Sequence, residues 1–328
     1  MRHLALTLVF AAAWLTAGCH QGADPSGNKD TAPPSGAGKR GTLGVSVLTL
    51  TNPFFKVIAD TITAEAAKHG YDVLIVSGEE DVATQHNQVK DFIVKKVSAM
   101  VLCPCNSKGI GPAIQEANEA GIPVFTADIA CLAKGPKVVS HIATDNYSGG
   151  KEAAKAMIEA LGENGGKIVI LDYQPAESCL LRVDGFKKVL DAYNKDRKTG
   201  NIIIVAELPG DGKKDKGHKV AKDALTTHPD LAGIFAINDP SALGARVAVE
   251  EAGRADQVKI IGFDGQPEGK EAIREGKIYA DPVQFPDEIG VKTVNAIVRH
   301  FKGEPVEPEI LIPTRLYRQA DALKELKP

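Results

Sequence analysis

From Thr42 onward, short β-branched runs alternate with longer stretches of helical period. That alternation admits few folds, because it is the pattern of βαβ units around a parallel sheet. Thr42–Leu48 reads as a buried strand, and Pro53, tolerated in a first helical turn, opens a helix. Val57, Ile58, Ile62, Ala66 and Ala67 recur along it at helical spacing, with Gly70 as its C′ residue. Strand Tyr71–Val76, helix Asp81–Lys96, strand Ala99–Cys103, helix Gly109–Ala120 and strand Ile122–Thr126 complete a first series. After a connecting segment at Val138–Asp145, a second series follows. It has helices from Tyr147, Cys179, Lys214 and Ser241, and strands at Lys167–Leu171, Ile202–Glu207, Leu231–Ile237 and Val258–Gly262. The fold class is therefore α/β, with two doubly wound parallel-sheet lobes in tandem and no visible sequence repeat between them.

Two such sheets placed end to end leave a cleft between their strand C-termini, where sheets of this kind bind ligands. The polar residues expected there are Asn52 after the first strand, Asp128 after the fourth, Arg182 early in a helix of the second series, Asn238, Asp264 and Gln284. Asp, Asn, Gln and Arg offer planar, paired groups that serve adjacent hydroxyls of a polyol. Phe54 and Phe55 add faces that can lie against a sugar's C–H surface. Each residue also has a plainer role. Asn52 and Asn238 suit N-caps, Phe54 and Phe55 suit the core, Asp264-Gly265 suits a turn, and Arg182 could pair with Asp184 or Glu177 at the surface. Their joint placement at strand ends in two lobes favours the binding reading.

The N-terminus reads as an export signal. Met1-Arg2-His3 is basic, Leu4–Leu15 is apolar but too short for a permanent span, and Thr16-Ala17-Gly18-Cys19 supplies small residues before a cleavage site. Leu15–Cys19 has the look of a lipobox, so Cys19 is expected to carry a lipid, and the Gly/Pro/Ser-rich residues 20–41 to form a flexible tether. The chain as a whole has an ordinary globular composition, 43% hydrophobic and 25% charged with net charge −3, and lacks the basic footprint of a nucleic-acid binder. Cys103, Cys105, Cys131 and Cys179 do not have zinc-site spacing. In an oxidising compartment Cys105 and Cys131 are the pair to test for a disulfide, with buried free thiols as the alternative.

The chain resembles the ribose-type periplasmic binding proteins of sugar ABC importers from about Thr42 to Arg318. The matching stretches are Asn52-Pro53-Phe54-Phe55, Val139–Asn146 with Gly149-Gly150, Arg182–Phe186 and His228-Pro229-Asp230. Further on they are Ala236–Asp239, Ala242–Ala245, Gly262–Gly265 and Gln284–Gly290. The resemblance implies two lobes joined by a three-strand hinge that close on one monosaccharide, a ribose-like pentose or a hexose or ketose, and present it to a membrane permease. It divides the chain into a signal at 1–19, a tether at 20–41, an N-terminal lobe of 42–144 plus 285–312 and a C-terminal lobe of 145–284 plus 313–328. The hinge crossings fall near Thr144-Asp145, Gln284-Phe285 and Ile312-Pro313. Asn52, Asp128, Arg182, Asn238, Asp264 and Gln284 fall on the family's sugar hydrogen-bonding positions, and Phe54 and Phe55 on its stacking positions.

Three departures bear on which sugar is taken. Ile129 stands where ribose binders commonly have arginine, Leu48 where they have serine, and Gly212 where they have a third aromatic, for which Tyr173 is a possible substitute. Leu48, Ile129 and Tyr173 are thus additional possible contacts. The resemblance implies a monomer without cofactor or metal, located in the periplasm or on the outer face of the cell membrane. A sensor presenting bound sugar to a chemoreceptor or kinase has the same chain features. An exported hydrolase built on Asp128 and Asp264 lacks a group to raise one pKa, a nucleophile elbow and a metal cluster, and a sugar-responsive repressor would need a helix-turn-helix where the signal stands.

Overall fold

A strand buried on both faces is apolar along nearly its whole length, and its successive side chains feed two separate cores. The computed structural model describes residues 40–325, so the signal, Cys19 and nearly all of the tether lie outside the described residues. Within them, Gly41–Val47 (β1), Tyr71–Ser77 (β2), Ala99–Leu102 (β3), Val124–Ala127 (β4), Ser140–Thr144 (β5) and Glu309–Ile312 (β11) form one sheet. Its order is β2-β1-β3-β4-β5-β11. Gly166–Asp172 (β6), Ile202–Pro209 (β7), Leu231–Ala236 (β8), Lys259–Ile261 (β9), Ala280–Val283 (β10) and Arg315–Arg318 (β12) form a second, in the order β7-β6-β8-β9-β10-β12. The two lobes therefore repeat one winding scheme although their sequences do not. All pairings are parallel except β10 with β12.

Helices cover both faces of each sheet. In the first lobe, Pro53–Lys68 (α1) and Pro286–Phe301 (α9) share a core with Leu43, Val45, Val47, Ala99 and Val101. On the other face, Val82–Val94 (α2) and Gly111–Glu119 (α3) enclose Met100 and Leu102. In the second lobe, Ile168 and Ile170 pack towards Asn146–Leu161 (α4) and Glu177–Asn194 (α5). Val169 and Leu171 face Lys214–Thr227 (α6), Asp239–Glu251 (α7) and Pro267–Arg274 (α8). The alternation along β6 is the period-two pattern dividing one strand between two cores. A short Gln319–Glu325 (α10) closes the described chain.

Three features differ from expectation or extend it. Val138–Asp145, expected as a connecting segment, contains β5, which pairs with β4 on one side and β11 on the other. Its partner β11 is remote in sequence, so no local pattern announces the pairing. Beyond Gly262 the chain adds α8, β10, α9, β11, β12 and α10. All four cysteines from Cys103 onward are free. The Cys105 thiol is directed to the carbonyls of Gly78 (3.6 Å) and Leu48 (3.9 Å), whereas Cys131 packs beside the core on the α2–α3 face, so the Cys105–Cys131 disulfide is replaced by the alternative of unpaired thiols.

The chain passes between sheets three times: from β5 to α4, from β10 to α9, and from β11 to β12. The α4–α5 crossing fixes the helix that carries Arg182. A Cβ placed on Gly150 would collide with the backbone carbonyl of Arg182, and one on Gly185 with that of Tyr147. Only two glycines allow these backbones so close. Gly150→Ala is expected to cost ~1–3 kcal/mol as overpacking, a fall in Tm of roughly 2–10 °C measurable by calorimetry; an unchanged Tm would contradict so tight a crossing.

Candidate functional site

The C-terminal ends of the strands of both sheets converge on one cavity of about 390 Å³. Asn52, Phe54, Phe55, Asp128, Arg182, Asn238, Asp264 and Gln284 all line it, and so do Leu48, Ile129 and Tyr173. Every candidate sugar contact read from the sequence thus lines one cavity, brought there by segments far apart in the chain.

In the first lobe, Asn52 caps α1, its Oδ1 accepting from the Phe54 amide at 3.0 Å. Its plainer role is real, and it leaves the side-chain NH2 as a donor to the cavity. Phe54 and Phe55 meet edge to face at 5.4 Å, are 4% and 5% exposed, and belong both to the core and to the cavity wall. Asp128 follows β4 with φ +66°, a left-handed conformation held by its amide, which donates to the Ile142 carbonyl at 2.8 Å. Its carboxylate is buried and Oδ1 has no hydrogen-bond partner. Burial pushes the Asp128 carboxyl up to about 7, against the opposing pull of Arg182. Ile129 and Leu48 make the adjoining wall apolar.

In the second lobe, Arg182 is a buried hub. Its Nε donates to Asn146 Oδ1 at 2.8 Å, and Nη1 donates to the Ile237 carbonyl at 2.7 Å and to Asp264 Oδ1 at 3.2 Å. The guanidinium lies 4.0 Å over the Phe263 ring. The surface pairing with Asp184 or Glu177 is replaced by this buried network, in which Nη2 is left for the cavity. Asp264 also accepts from Gln284 Nε2 (2.6 Å) and Gln266 Nε2 (3.0 Å), while Gln284 Oε1 is buried without a partner. Burial raises the Asp264 carboxyl, and Arg182 counters it. Its backbone, at φ +105°, is anchored to β10: its amide donates to the Pro282 carbonyl, and its carbonyl accepts from the Gln284 amide. Asn238 caps α7 through Oδ1 and donates through Nδ2 to the Gly212 carbonyl, so the backbone of Gly212 is joined to the site where an aromatic ring is missing.

Behind Asp264 lie two further buried acids, Asp239 and Asp281. Burial and the proximity of Asp281 hold the Asp239 carboxyl well above the usual range, and burial raises Asp281 to about 6. Both shifts oppose further negative charge beside Asp264. Sequence reasoning did not single out Asn146 and Phe263, which orient Arg182, or Gln266, which orients Asp264. The signal for Phe263 was its place directly before Asp264 at a strand end, and that for Asn146 was its place at a chain crossing. Among the described residues no cluster of three or more His, Cys, Asp or Glu side chains forms a metal site.

A cavity that sets polar donors and acceptors around a partly apolar wall has the make-up of a small-molecule binding site. Residues 43–305 match the model of the periplasmic binding protein domain. The chain is 35% identical over 275 residues to the ribose import binding protein RbsB of Escherichia coli, covering 84% of this chain and 90% of that protein. It is 31% identical to the D-apiose import binding protein of Paraburkholderia graminis, covering 83% and 86%. A solved periplasmic solute-binding protein of an ABC transporter from Actinobacillus succinogenes, with bound D-allose, superposes with a TM-score of 0.79 at 27% identity, covering 87% and 100%. The chain belongs to the periplasmic binding protein family, whose members bind ligands without transforming them.

Proposed function

We propose that this protein is the extracytoplasmic solute-binding component of an ABC importer and that it captures a monosaccharide in the cleft between its lobes. The observation that carries this reading is the convergence of Asp128 from one lobe with Arg182, Asp264 and Gln284 from the other on one cavity beside Phe54 and Phe55. Arg182 Nη2 and the Asn52 amide donate, while Asp128 Oδ1 and Gln284 Oε1 accept, so a polyol between them meets both kinds of partner. The partly apolar wall of Leu48 and Ile129 suits a sugar face with a hydrogen or methyl where ribose binders meet a polar group. Relatives that are import proteins for ribose and apiose favour transport over the sensor role.

In this reading, residues 42–144 with 285–312 and residues 145–284 with 313–328 are the two moving bodies. The crossings near Thr144-Asp145, Gln284-Phe285 and Ile312-Pro313 form the hinge. The closed form binds the sugar more tightly than the open one, and that difference drives closure. The protein works as a monomer in the periplasm or on the outer face of the cell membrane, held there by a lipid on Cys19 through the 20–41 tether.

The first test is thermal shift of the purified protein against pentoses, hexoses, ketoses, deoxysugars and inositols, since a ligand of the folded state stabilises it. A single strong hit supports the reading, and no shift with any monosaccharide sinks it. Asp264→Ala and Arg182→Ala should each leave a folded protein and weaken that sugar's binding at least a hundredfold by calorimetry, because each strands a buried partner. Normal binding by either variant would refute the site.

A pH experiment separates binding from stability at Asp128. Its carboxyl is raised in the folded state, so the stability it contributes is complete below about pH 4 and declines as pH rises through about 7. Asp128→Asn is therefore expected to raise the ligand-free Tm at pH 8, leave it nearly unchanged at pH 4, and abolish sugar binding at both. A Tm gain that does not grow with pH would contradict the assigned cause.

A further inference from the structure

Helix α5 carries Arg182 yet has no cap of its own. Its N-cap is Ala176, which offers no side-chain acceptor to the unpaired amides of the first turn. The acceptor comes instead from the opposite lobe: the Glu177 amide donates to Ser107 Oγ at 2.9 Å. The bond is answered in the reverse direction, because the Ser107 amide donates to the Pro175 carbonyl, also at 2.9 Å. Ser107 is 2% exposed, and its own carbonyl accepts from the Leu132 amide, which fixes it to the first lobe. At the cleft mouth, Glu80 of the first lobe and Lys213 of the second form a 2.6 Å ion pair, but both are solvent-accessible and the pair adds little.

We propose that Ser107 is a positioning residue for ligand capture: it caps α5 across the cleft and shifts the open–closed equilibrium towards the closed form by the same amount whatever sugar is bound. The proposal rests on the sugar-binding reading for its effect on affinity, and on the structure alone for its effect on closure. Ser107 does not line the cavity, so it contributes equally whatever the cavity holds. Its two bonds exist only when the lobes meet, so they are differential between closed and open forms, as a device that shifts the equilibrium must be. The cap also stabilises the helix end one turn before Arg182, so closure and the placing of the guanidinium occur together.

Residue-resolved hydrogen exchange on the full chain without ligand tests the clamp directly. The Ser107 and Glu177 amides are expected to exchange more slowly than open loop amides. In Ser107→Ala, exchange at Glu177 should accelerate at least tenfold, and Ser107→Thr should restore protection. Exchange at Glu177 that is loop-like in the native protein, or unaffected by Ser107→Ala, overturns the proposal. Calorimetry with D-ribose, D-apiose and D-allose supplies the second arm. Ser107→Ala should raise Kd by roughly threefold to tenfold, the effect of losing one helix cap, and by the same factor for each sugar that binds. Unequal factors would make Ser107 a ligand contact and overturn its assigned role. If the native protein binds none of the sugars tested in either experiment, the proposed function fails while the exchange result still decides the clamp.

Discussion

The buried pairing of Arg182 with Asp264 is the interaction on which the rest of the site depends. Removing both ions from water carries a penalty of several kcal/mol each, and a lone contact of 3.2 Å would not offset it. The surroundings do: Asn146 and the Ile237 carbonyl occupy two further guanidinium donors' directions, Phe263 supplies a ring face, and Gln266 and Gln284 donate to the carboxylate. These partners come from α4, β8, β9 and β10 and their loops, so the pair can exist only once the whole second lobe is wound. In return it fixes, at the floor of the cleft, a guanidinium with one free face.

Both carboxylates that face the cavity are held in an unfavourable state. Asp128 and Asp264 have positive φ, each anchored by hydrogen bonds to a neighbouring strand, and burial raises both carboxyls. In the proposed function, a polyol hydroxyl between the lobes gives the Asp128 carboxylate the donor that it lacks in the protein, and stability withheld from the ligand-free fold becomes available on binding. Burial also raises the Asp239 and Asp281 carboxyls behind Asp264, which opposes additional negative charge there.

The order of the elements and the place of the cleft were legible because both rest on local periodicity. Short continuous apolar runs mark strands buried on both faces, as Ile168–Leu171 does along β6, and the cleft follows from the winding of such sheets. The polar residues at strand ends were legible for the same reason, and the resemblance to ribose-type binding proteins sharpened them to Asn52, Asp128, Arg182, Asn238, Asp264 and Gln284. The strand inside Val138–Asp145 was not legible, since its pairing with β11 joins residues on opposite sides of an entire lobe. Nor was the separation of Cys105 from Cys131, which depends on where each side chain points once β3 and the following loop are packed.

By itself, then, the sequence determined the α/β class, the two-lobed winding, and which side chains stand at the strand ends, because these are properties of short stretches and their spacing. Tertiary structure alone decided what those side chains do. Asn52 and Asn238 cap helices and face the cleft at once, Arg182 is turned inward to Asp264 rather than outward to Asp184, and Ser107 serves a helix of the other lobe. The physical reason is that a hydrogen bond or ion pair is set by distance and burial, and both are fixed by strands brought together from the two halves of the chain.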